Sequence, residues 1–173
     1  IYDELKYENE LSLKAENKKF QYLNNCWSTM SGLHQSLISV FSEYILRNEK
    51  DIQDLITLIN DVPRYTNDVL EYTKKQADKN TLQFDYDSVT QDIQDVINTK
   101  EDSSITSALY NAIDTLNLDE EKTTSYKAQV KDAMDTSFFP SYQAMLDTLT
   151  SLQYNVQPLQ GLSNYKNGKK YYE

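Results

Sequence analysis

Residues Asp119–Gln153, DEEKTTSYKAQVKDAMDTSFFPSYQAMLDTLTSLQ, carry the longest helical pattern in the chain, and we expect the other helices to pack around them. Apolar or small side chains recur in this stretch every three or four residues, which is the period of an α-helix. They are Tyr126, Val130, Ala133, Met134, Ser137/Phe138, Tyr142, Met145, Leu146, Leu149 and Leu152. The pattern predicts one long helix, roughly 50 Å in length at about 1.5 Å per residue. We expect it to bend at Pro140, because proline lacks a backbone N–H and its ring crowds the preceding turn.

Six shorter helical patterns precede the long helix. The first is a charged opening helix at Tyr2–Asn25, which is followed by a break at Cys26–Gly32. The inward positions of the next five are Leu33, Leu37, Val40, Phe41 and Tyr44; Ile52, Leu55, Ile56 and Ile59; Tyr65, Val69 and Tyr72; Val89, Ile93, Val96 and Ile97; and Ile105, Leu109, Ala112, Ile113 and Leu116. The predicted array is therefore six or seven helices arranged around residues 119–153.

The helix boundaries follow from capping residues and prolines. Asn48 is predicted to cap the third helix, with acidic residues in its first turn. Pro63 should separate the third helix from the fourth, because it pushes Val62 out of the helical region and suits a first turn itself. The other predicted starts are Asp87 or Ser88 for the fifth helix, Ser103 or Ser104 for the sixth and Asp119 for the seventh.

Length and composition favour a single helical domain over residues 1–173. Of the 173 residues, 39% are hydrophobic, which is enough for one core. Three Gly and three Pro are too few for a turn-rich β protein. The fold class is thus all-α, an antiparallel bundle-like array with an irregular C-terminal tail at 154–173. We expect the chain to be part of a longer protein, because Tyr171 and Tyr172 near its end need something to pack against.

Net charge argues against nucleic acid as a partner. The chain carries −10 at pH 7, and the short basic cluster of Lys166, Lys169 and Lys170 cannot offset it. No apolar run approaches the roughly 18 residues that a membrane span requires. The chain has no signal peptide pattern, but it opens at Ile1 rather than Met, so a leader could precede it.

His34 and Cys26 are the single histidine and the single cysteine of the chain. One cysteine forms no internal disulfide, and zinc sites draw on several ligands. A free-standing hydrolase that pairs Cys26 with His34 is one hypothesis. The spacing of eight residues matches no known local signature, so a structural His34 and a buried free thiol are the preferred interpretations.

The carboxylates offer no stronger candidate. The segment 85–90 begins like a calcium loop, yet Val96 stands where the twelfth-position Glu is needed, so helix capping explains Asp85 and Asp87 better. Carboxylates three residues apart occur at Asp51/Asp54, Asp92/Asp95 and Asp132/Asp135. Each pair lies opposite an apolar stripe and is interpreted as a solvated helix face. We therefore assign no catalytic, cofactor-binding or metal-ligating residue. Trp27 and the tyrosines are candidates to line a binding groove, but packing in the core and between helices is the preferred interpretation.

An ordered set of short pieces carries a family resemblance. The pieces are Ser31-Gly32; Glu43-Tyr44 and Arg47; Asp51, Leu55 and Leu58; Val62–Tyr65; Pro140, Tyr142 and Leu146; and Gly161-Leu162, Tyr165 and Asn167–Glu173. In this order they resemble the bacterial domain-of-unknown-function 885 family from about Trp27 onward. Two departures are Lys166, where the family often has Pro, and Asn80-Thr81, which replaces a common Gly. Asn can still adopt the left-handed conformation that Gly would supply.

The resemblance implies a helical fold similar to zinc metallopeptidases. In such relatives a His-Glu motif and a further His lie beyond the point where this chain stops. The preferred hypothesis is a non-catalytic helical portion of a zinc-metallopeptidase-like protein, which forms one wall of a substrate cleft. It implies zinc in the full-length parent only, with the remainder of the chain and a peptide substrate as partners. Many relatives look secreted or lipid-anchored, so we expect an extracytoplasmic setting. The alternative is a self-contained helical binding or scaffold module of a bacterial cell-surface protein.

Overall fold

The computed structural model describes Lys6, Tyr7, Glu10 and residues 22–172, with the backbone alone for Leu162, Tyr171 and Tyr172. The helices are α1 (Leu33–Ser42), α2 (Glu49–Asp78), α3 (Tyr86–Asn98), α4 (Ser104–Asp114), α5 (Glu120–Ala133), α6 (Phe139–Ser151) and α7 (Gly168–Tyr172). Short 3₁₀ turns lie at Lys100–Asp102, Gln153–Asn155 and Leu162–Asn164. The described residues contain no β-strand, only an isolated bridge between Gln83 and Gln157. The predicted all-α fold is confirmed.

The long helix follows its predicted course, and its irregularity lies just before Pro140. A π turn, Met134–Phe138, joins α5 directly to α6. Here the Phe139 N–H donates to the Met134 carbonyl, one residue further back than in an α-helix. Because a proline ring clashes with the carbonyl four residues before it, this wider turn lets the helix continue. Pro140 then occupies the first turn of α6.

The predicted boundary at Pro63 is wrong. Residues 49–78 form one helix, α2, with Pro63 in its interior. An interior proline costs about 3 kcal/mol. The apolar side chains on either side of it, Ile59, Val62 and Leu70, are all buried, and each such burial contributes about 1.5–3 kcal/mol. Tertiary packing therefore outweighs the local preference, and Val62 stays helical.

One core joins α1 to α6. The long helix contributes Val130, Ala133, Met134, Phe138, Tyr142, Met145 and Leu149, all buried as expected from the apolar stripe. Ile52, Leu55 and Ile59 of α2, Val89 and Ile93 of α3, and Ile105, Leu109 and Ile113 of α4 pack into the same cluster. Tyr126, Leu146 and Leu152 are only partly buried at its edge. The stripes thus place one face of each helix on a shared core.

The inner face predicted for the second half of α2 is only partly right: Val69 and Tyr72 are half-buried, with Val69 packed against the core. Tyr65 is 50% exposed, whereas the buried side chains are Thr66, Leu70, Thr73, Gln76 and Ala77. Two of the polar ones are held by distant partners: Thr73 Oγ1 accepts from the Trp27 indole at 2.9 Å, and Gln76 Nε2 donates to the Asn24 carbonyl at 2.8 Å. These bonds give Thr73 Oγ1 and Gln76 Nε2 partners inside the core, whereas Gln76 Oε1 and Thr66 Oγ1 have none among the protein groups.

Smaller corrections concern two chain segments. Val40, placed on the inner face of α1, is 53% exposed, and α1 ends at Ser42, before Tyr44. The opening helix predicted at Tyr2–Asn25 falls mostly outside the described residues. Lys6, Tyr7 and Glu10 are helical, but residues 22–25 are not.

The predicted caps are mostly found where the sequence placed them. The side chains of Asn48, Ser103 and Asp119 accept from the backbone N–H three residues on, at the starts of α2, α4 and α5. The start of α3 is earlier than predicted: Asp85 is the cap, and the helix begins at Tyr86. Asn80 has φ 54°, so it adopts the left-handed conformation expected of it.

The tail crosses the loop between α2 and α3. The Gln157 N–H donates to the Leu82 carbonyl at 2.8 Å, and the Gln160 N–H donates to Gln83 Oε1 at 3.0 Å. Leu82 and Phe84 of this loop are buried in the core. The loop is therefore part of the packed interior, because its backbone groups find partners in the tail.

Leu149→Ala tests the central position of the long helix. Leu149 is fully buried, so we expect the free energy of unfolding to fall by about 2–5 kcal/mol. Urea unfolding followed by circular dichroism measures it. Leu159, which is 68% exposed, provides the matched control, and Leu159→Ala should change stability by less than about 0.5 kcal/mol. A similarly small effect of Leu149→Ala would place that side chain outside the core.

Candidate functional site

His34 carries a buried titratable ring and is the centre of the candidate site. It lies in the first turn of α1 and is fully buried. Its Nε2 is 3.6 Å from Oδ2 of Asp92 on α3, a carboxylate that is partly exposed. Neither ring nitrogen has a hydrogen-bond partner among the protein groups. The same Asp92 oxygen accepts from Gln35 Nε2 at 3.2 Å, which draws the carboxylate toward α1.

Aromatic groups and a tight turn hold the His34 ring in place. The Trp27 indole stacks on it with ring centres 6.2 Å apart, and the Tyr142 hydroxyl donates to the His34 carbonyl. Gly32 permits this approach, because a Cβ there would lie 2.8 Å from His34 Cε1 and 2.7 Å from the Ser28 backbone nitrogen. The ring is thus held between Trp27 and Asp92 of α3, while Tyr142 of α6 holds the His34 backbone.

Burial and a neighbouring charge act on His34 in opposite directions. Desolvation is the larger effect and lowers the pKa of the imidazole below its ordinary 6.5, while attraction to Asp92 raises it. The folded chain therefore favours the neutral imidazole of His34 at neutral pH. Burial likewise raises the pKa of the Tyr142 hydroxyl, so this phenol stays protonated as a hydrogen-bond donor.

Protonation of His34 at acidic pH should lower the free energy of unfolding. The unfolded chain binds a proton at this ring more readily than the folded chain does, so the unfolded state gains protons first as the pH falls below about 6.5. The stability contributed by neutral His34 is present above that pH and is lost as the pH drops through the lowered pKa. Urea unfolding at about pH 7.5 and about pH 5 should show a larger loss in the wild type than in His34→Gln.

The carboxylates of the chain titrate in both proteins and so cancel in this comparison. Asp92→Asn provides a second check. It removes the attraction that raises the pKa of His34, and the loss of stability in acid should become larger. Equal losses in the wild type and His34→Gln would contradict the assignment.

Cys26 and His34 do not form a nucleophile–base pair. Both His34 nitrogens lack a hydrogen-bond partner, so no bond joins either of them to the thiol. Burial also raises the pKa of the half-buried Cys26 thiol. An activated cysteine needs the opposite shift, because the thiolate is the nucleophile. The arrangement favours the structural interpretation of both residues.

The candidate carboxylates whose side chains have partners serve local structure, with one exception. Asp85 accepts from the Ser88 N–H and hydroxyl, which lower the pKa of its carboxyl group, as expected of a cap. Asp51 accepts from the backbone N–H of Arg47. Asp54, Asp95 and Asp135 pair with the side chains of Lys50, Gln91 and Lys131 in turn. The exception is Asp92, which was interpreted as part of a solvated face and instead approaches His34. No local sequence pattern predicts the pair of His34 and Asp92, because the two residues are far apart in the chain. Gln35, which is next to His34 and also bonds Asp92, is 57 residues away from it.

An ion-paired corner lies where the first turns of α2 and α5 meet. Glu49 accepts from Lys122 Nζ at 2.8 Å and from the Tyr126 hydroxyl at 3.0 Å. These hydrogen bonds lower the pKa of the Glu49 carboxyl group. Within residues 22–172, no group of three or more His, Cys, Asp or Glu side chains is arranged to hold a metal ion.

The geometry defines an all-α fold in which a buried histidine, His34, lies beside a partly exposed carboxylate, Asp92. By sequence, the chain belongs to the family described as bacterial protein of unknown function (DUF885), which it matches over residues 2–173. The resemblance inferred from the ordered motifs is thus confirmed. No curated protein and no solved structure matched the chain. Among the described helices, none combines the length and the apolar character that crossing a bilayer demands.

Proposed function

We propose that this chain is the non-catalytic helical portion of a bacterial zinc-metallopeptidase-like protein and forms one wall of a substrate cleft. The observation that carries the proposal is the family match over residues 2–173, taken with the metallopeptidase-like fold that the motif resemblance implies. The described polar side chains are consistent with a supporting role. Asp85 and Asp119 cap helices, and His34 stacks on Trp27 and lies beside Asp92.

Exposed apolar side chains on α2 provide a surface for such a wall. Leu58 and Tyr65 are 47% and 50% exposed. They are seven residues apart, so they share one face of the helix. Aromatic and aliphatic side chains on an open face contribute contact area to a bound peptide or to a neighbouring domain.

The remaining elements of the proposal lie outside residues 1–173. Zinc would be held by a His-Glu motif and a further His in a later part of the parent chain, where it would polarise a peptide carbonyl and activate water. The partners would be that later part and a peptide substrate. An extracytoplasmic location, secreted or lipid-anchored, belongs to the same proposal.

The intact gene product and residues 1–173 alone provide the test. We expect the intact protein to hydrolyse a mixed peptide library, to lose activity with a zinc chelator and to recover it with added zinc. Residues 1–173 should be inactive with or without zinc. Zinc-dependent hydrolysis by residues 1–173, or an open reading frame with no His-Glu motif after Glu173, would contradict the proposal.

A second candidate is a self-contained helical binding or scaffold module. The observation that favours it is the single core shared by α1 to α6, which is typical of a domain that folds independently. If residues 1–173 unfold in one cooperative transition and bind a specific protein partner while the intact protein shows no peptidase activity, this alternative holds.

A further inference from the structure

Residues 22–36, which precede α1 and include its first turn, form a local unit that we call the Trp27 segment. Among the described residues, and apart from its continuation into α1, its backbone-to-backbone hydrogen bonds stay within the segment. The Gly32 N–H donates to the Ser28 carbonyl at 2.9 Å, and the Leu33 N–H donates to the Cys26 carbonyl at 3.0 Å. A segment that is attached to the rest of a protein by side chains can open while the remaining fold stays intact.

Side chains attach the Trp27 segment to its neighbours. The Trp27 indole donates to Thr73 Oγ1 of α2 at 2.9 Å, and Gln35 Nε2 donates to Asp92 Oδ2 of α3 at 3.2 Å. The His34 ring stacks on Trp27 and lies 3.6 Å from the same Asp92 oxygen. His34 therefore contacts both attachment points, so a change of its charge acts on both.

The charge of His34 decides whether its nitrogens can be satisfied in the closed segment. A neutral imidazole carries one N–H, and a protonated one carries two. Both ring nitrogens are buried without a hydrogen-bond partner, and 3.6 Å from Nε2 to Asp92 is too long for a hydrogen bond. A small approach of Asp92 would satisfy Nε2–H but leave Nδ1–H without an acceptor. Because a buried, unpaired donor on a charged group is costly, the charged ring is favoured where water reaches it.

The titratable groups on the surrounding elements do not remove this cost. Asp92 is the charged group that acts on the ring among the described residues, and it is partly exposed. Burial raises the pKa of Tyr142 on α6 and of Cys26 in the Trp27 segment, so both stay neutral. On α4, against which α1 packs, Tyr110 and Asp114 contact a lysine of α5 instead.

We propose that the Trp27 segment is a pH-dependent latch, in which protonation of His34 releases residues 22–36 from α2 and α3 while α2 to α6 keep their fold. In the open segment water reaches the charged ring, and the Trp27 indole becomes accessible with it. The open segment, where the imidazole has its ordinary pKa of about 6.5, binds a proton more readily than the closed one, where burial lowers that pKa. The latch is therefore closed above about pH 6.5 and is favoured to open as the pH falls below it. This local release does not depend on the peptidase-like function.

The fluorescence of Trp27, the single tryptophan of the chain, tests the latch. Acrylamide quenching measures the accessibility of the indole, and far-UV circular dichroism measures the helix content. Both are followed on the 173-residue chain from about pH 7.5 to about pH 5, the range in which histidine changes its charge. We expect the quenching constant to rise at least about twofold while the helical signal is unchanged. At the same pH, hydrogen exchange should show protection lost at the Leu33 amide and retained at the Met145 amide of α6. Quenching that rises only together with the loss of helix would overturn the proposal.

Two variants connect the opening to the His34 ring. His34→Gln takes up no proton, so its quenching constant should stay flat where that of the wild type rises. Asp92→Asn removes the attraction that favours the charged ring in the closed segment, so the rise should begin at a higher pH. This variant keeps the histidine and tests the same step if His34→Gln is less stable. Asp95→Asn is the matched control, because Asp95 lies one turn further along α3 and bonds Gln91; it should behave like the wild type. A rise retained in His34→Gln, or equal behaviour of Asp92→Asn and Asp95→Asn, would also overturn the proposal.

Discussion

Replacing Phe138 with alanine is expected to lower the free energy of unfolding by about 3–5 kcal/mol. Phe138 is fully buried in the π turn. Its ring centre is 5.7 Å from that of Phe41, 5.4 Å from that of Phe139 and 4.9 Å from that of Tyr142. The substitution therefore removes a large apolar surface and three ring contacts, and leaves a cavity at the junction of α5 and α6.

Urea unfolding followed by circular dichroism measures this loss. The matched control is Tyr154→Ala: Tyr154 is also aromatic but 96% exposed, and its removal should change stability by less than about 0.5 kcal/mol. A double-mutant cycle with Phe138→Leu and Phe41→Leu isolates the edge-to-face pair, which should couple by about 0.5–1.5 kcal/mol. A loss below about 1 kcal/mol in Phe138→Ala would show that the π turn is not packed as described.

Trp27→Ala should be comparably destabilising, by about 3–5 kcal/mol. Trp27 is fully buried although it lies in a non-helical segment, and its indole N–H donates to Thr73 Oγ1 at 2.9 Å. The ring also packs between His34 and Phe84, at centre distances of 6.2 and 6.4 Å. Its loss removes the main apolar anchor of residues 22–32 on α2.

Two milder variants separate the hydrogen bond of Trp27 from its packing. Thr73→Val keeps the shape but leaves a buried indole N–H without its acceptor, which should cost about 1–3 kcal/mol. Trp27→Phe should lose less stability than Trp27→Ala, because part of the ring packing remains. Circular dichroism in urea reports all three variants, since the chain contains one tryptophan and loses it in two of them. If Thr73→Val and Trp27→Ala were equally destabilising, packing would not be the main contribution of this residue.

The features that sequence alone predicts correctly are those with a local physical cause. Asn48, Ser103 and Asp119 cap helices because a short polar side chain bonds the backbone three residues on. Apolar positions every three or four residues likewise place one face of a helix in the core. This rule identifies Val130, Met145 and Leu149 as buried without knowledge of their partners.

The errors arise where a partner far along the chain decides the outcome. The inner face of α2 carries Thr73 and Gln76 rather than Tyr65, because Trp27 and Asn24 supply the hydrogen bonds that polar side chains need in a core. Pro63 fails to end α2 for a similar reason, since packing on both sides of it exceeds the cost of the proline. Neither effect is visible in a window of neighbouring residues.

The candidate site shows the same difference between features with local causes and features with long-range causes. Local sequence patterns are enough to predict an all-α chain of one family, its helix starts and its core stripes, and to show that its single histidine and single cysteine share no local signature. The burial of His34 beside Asp92, and of Trp27 against Thr73, follows only from the folded arrangement of the chain. The reason is the distance along the chain over which each interaction acts. Capping and helical periodicity involve residues a few positions apart, whereas burial and side-chain hydrogen bonds join segments that are close only in the folded chain.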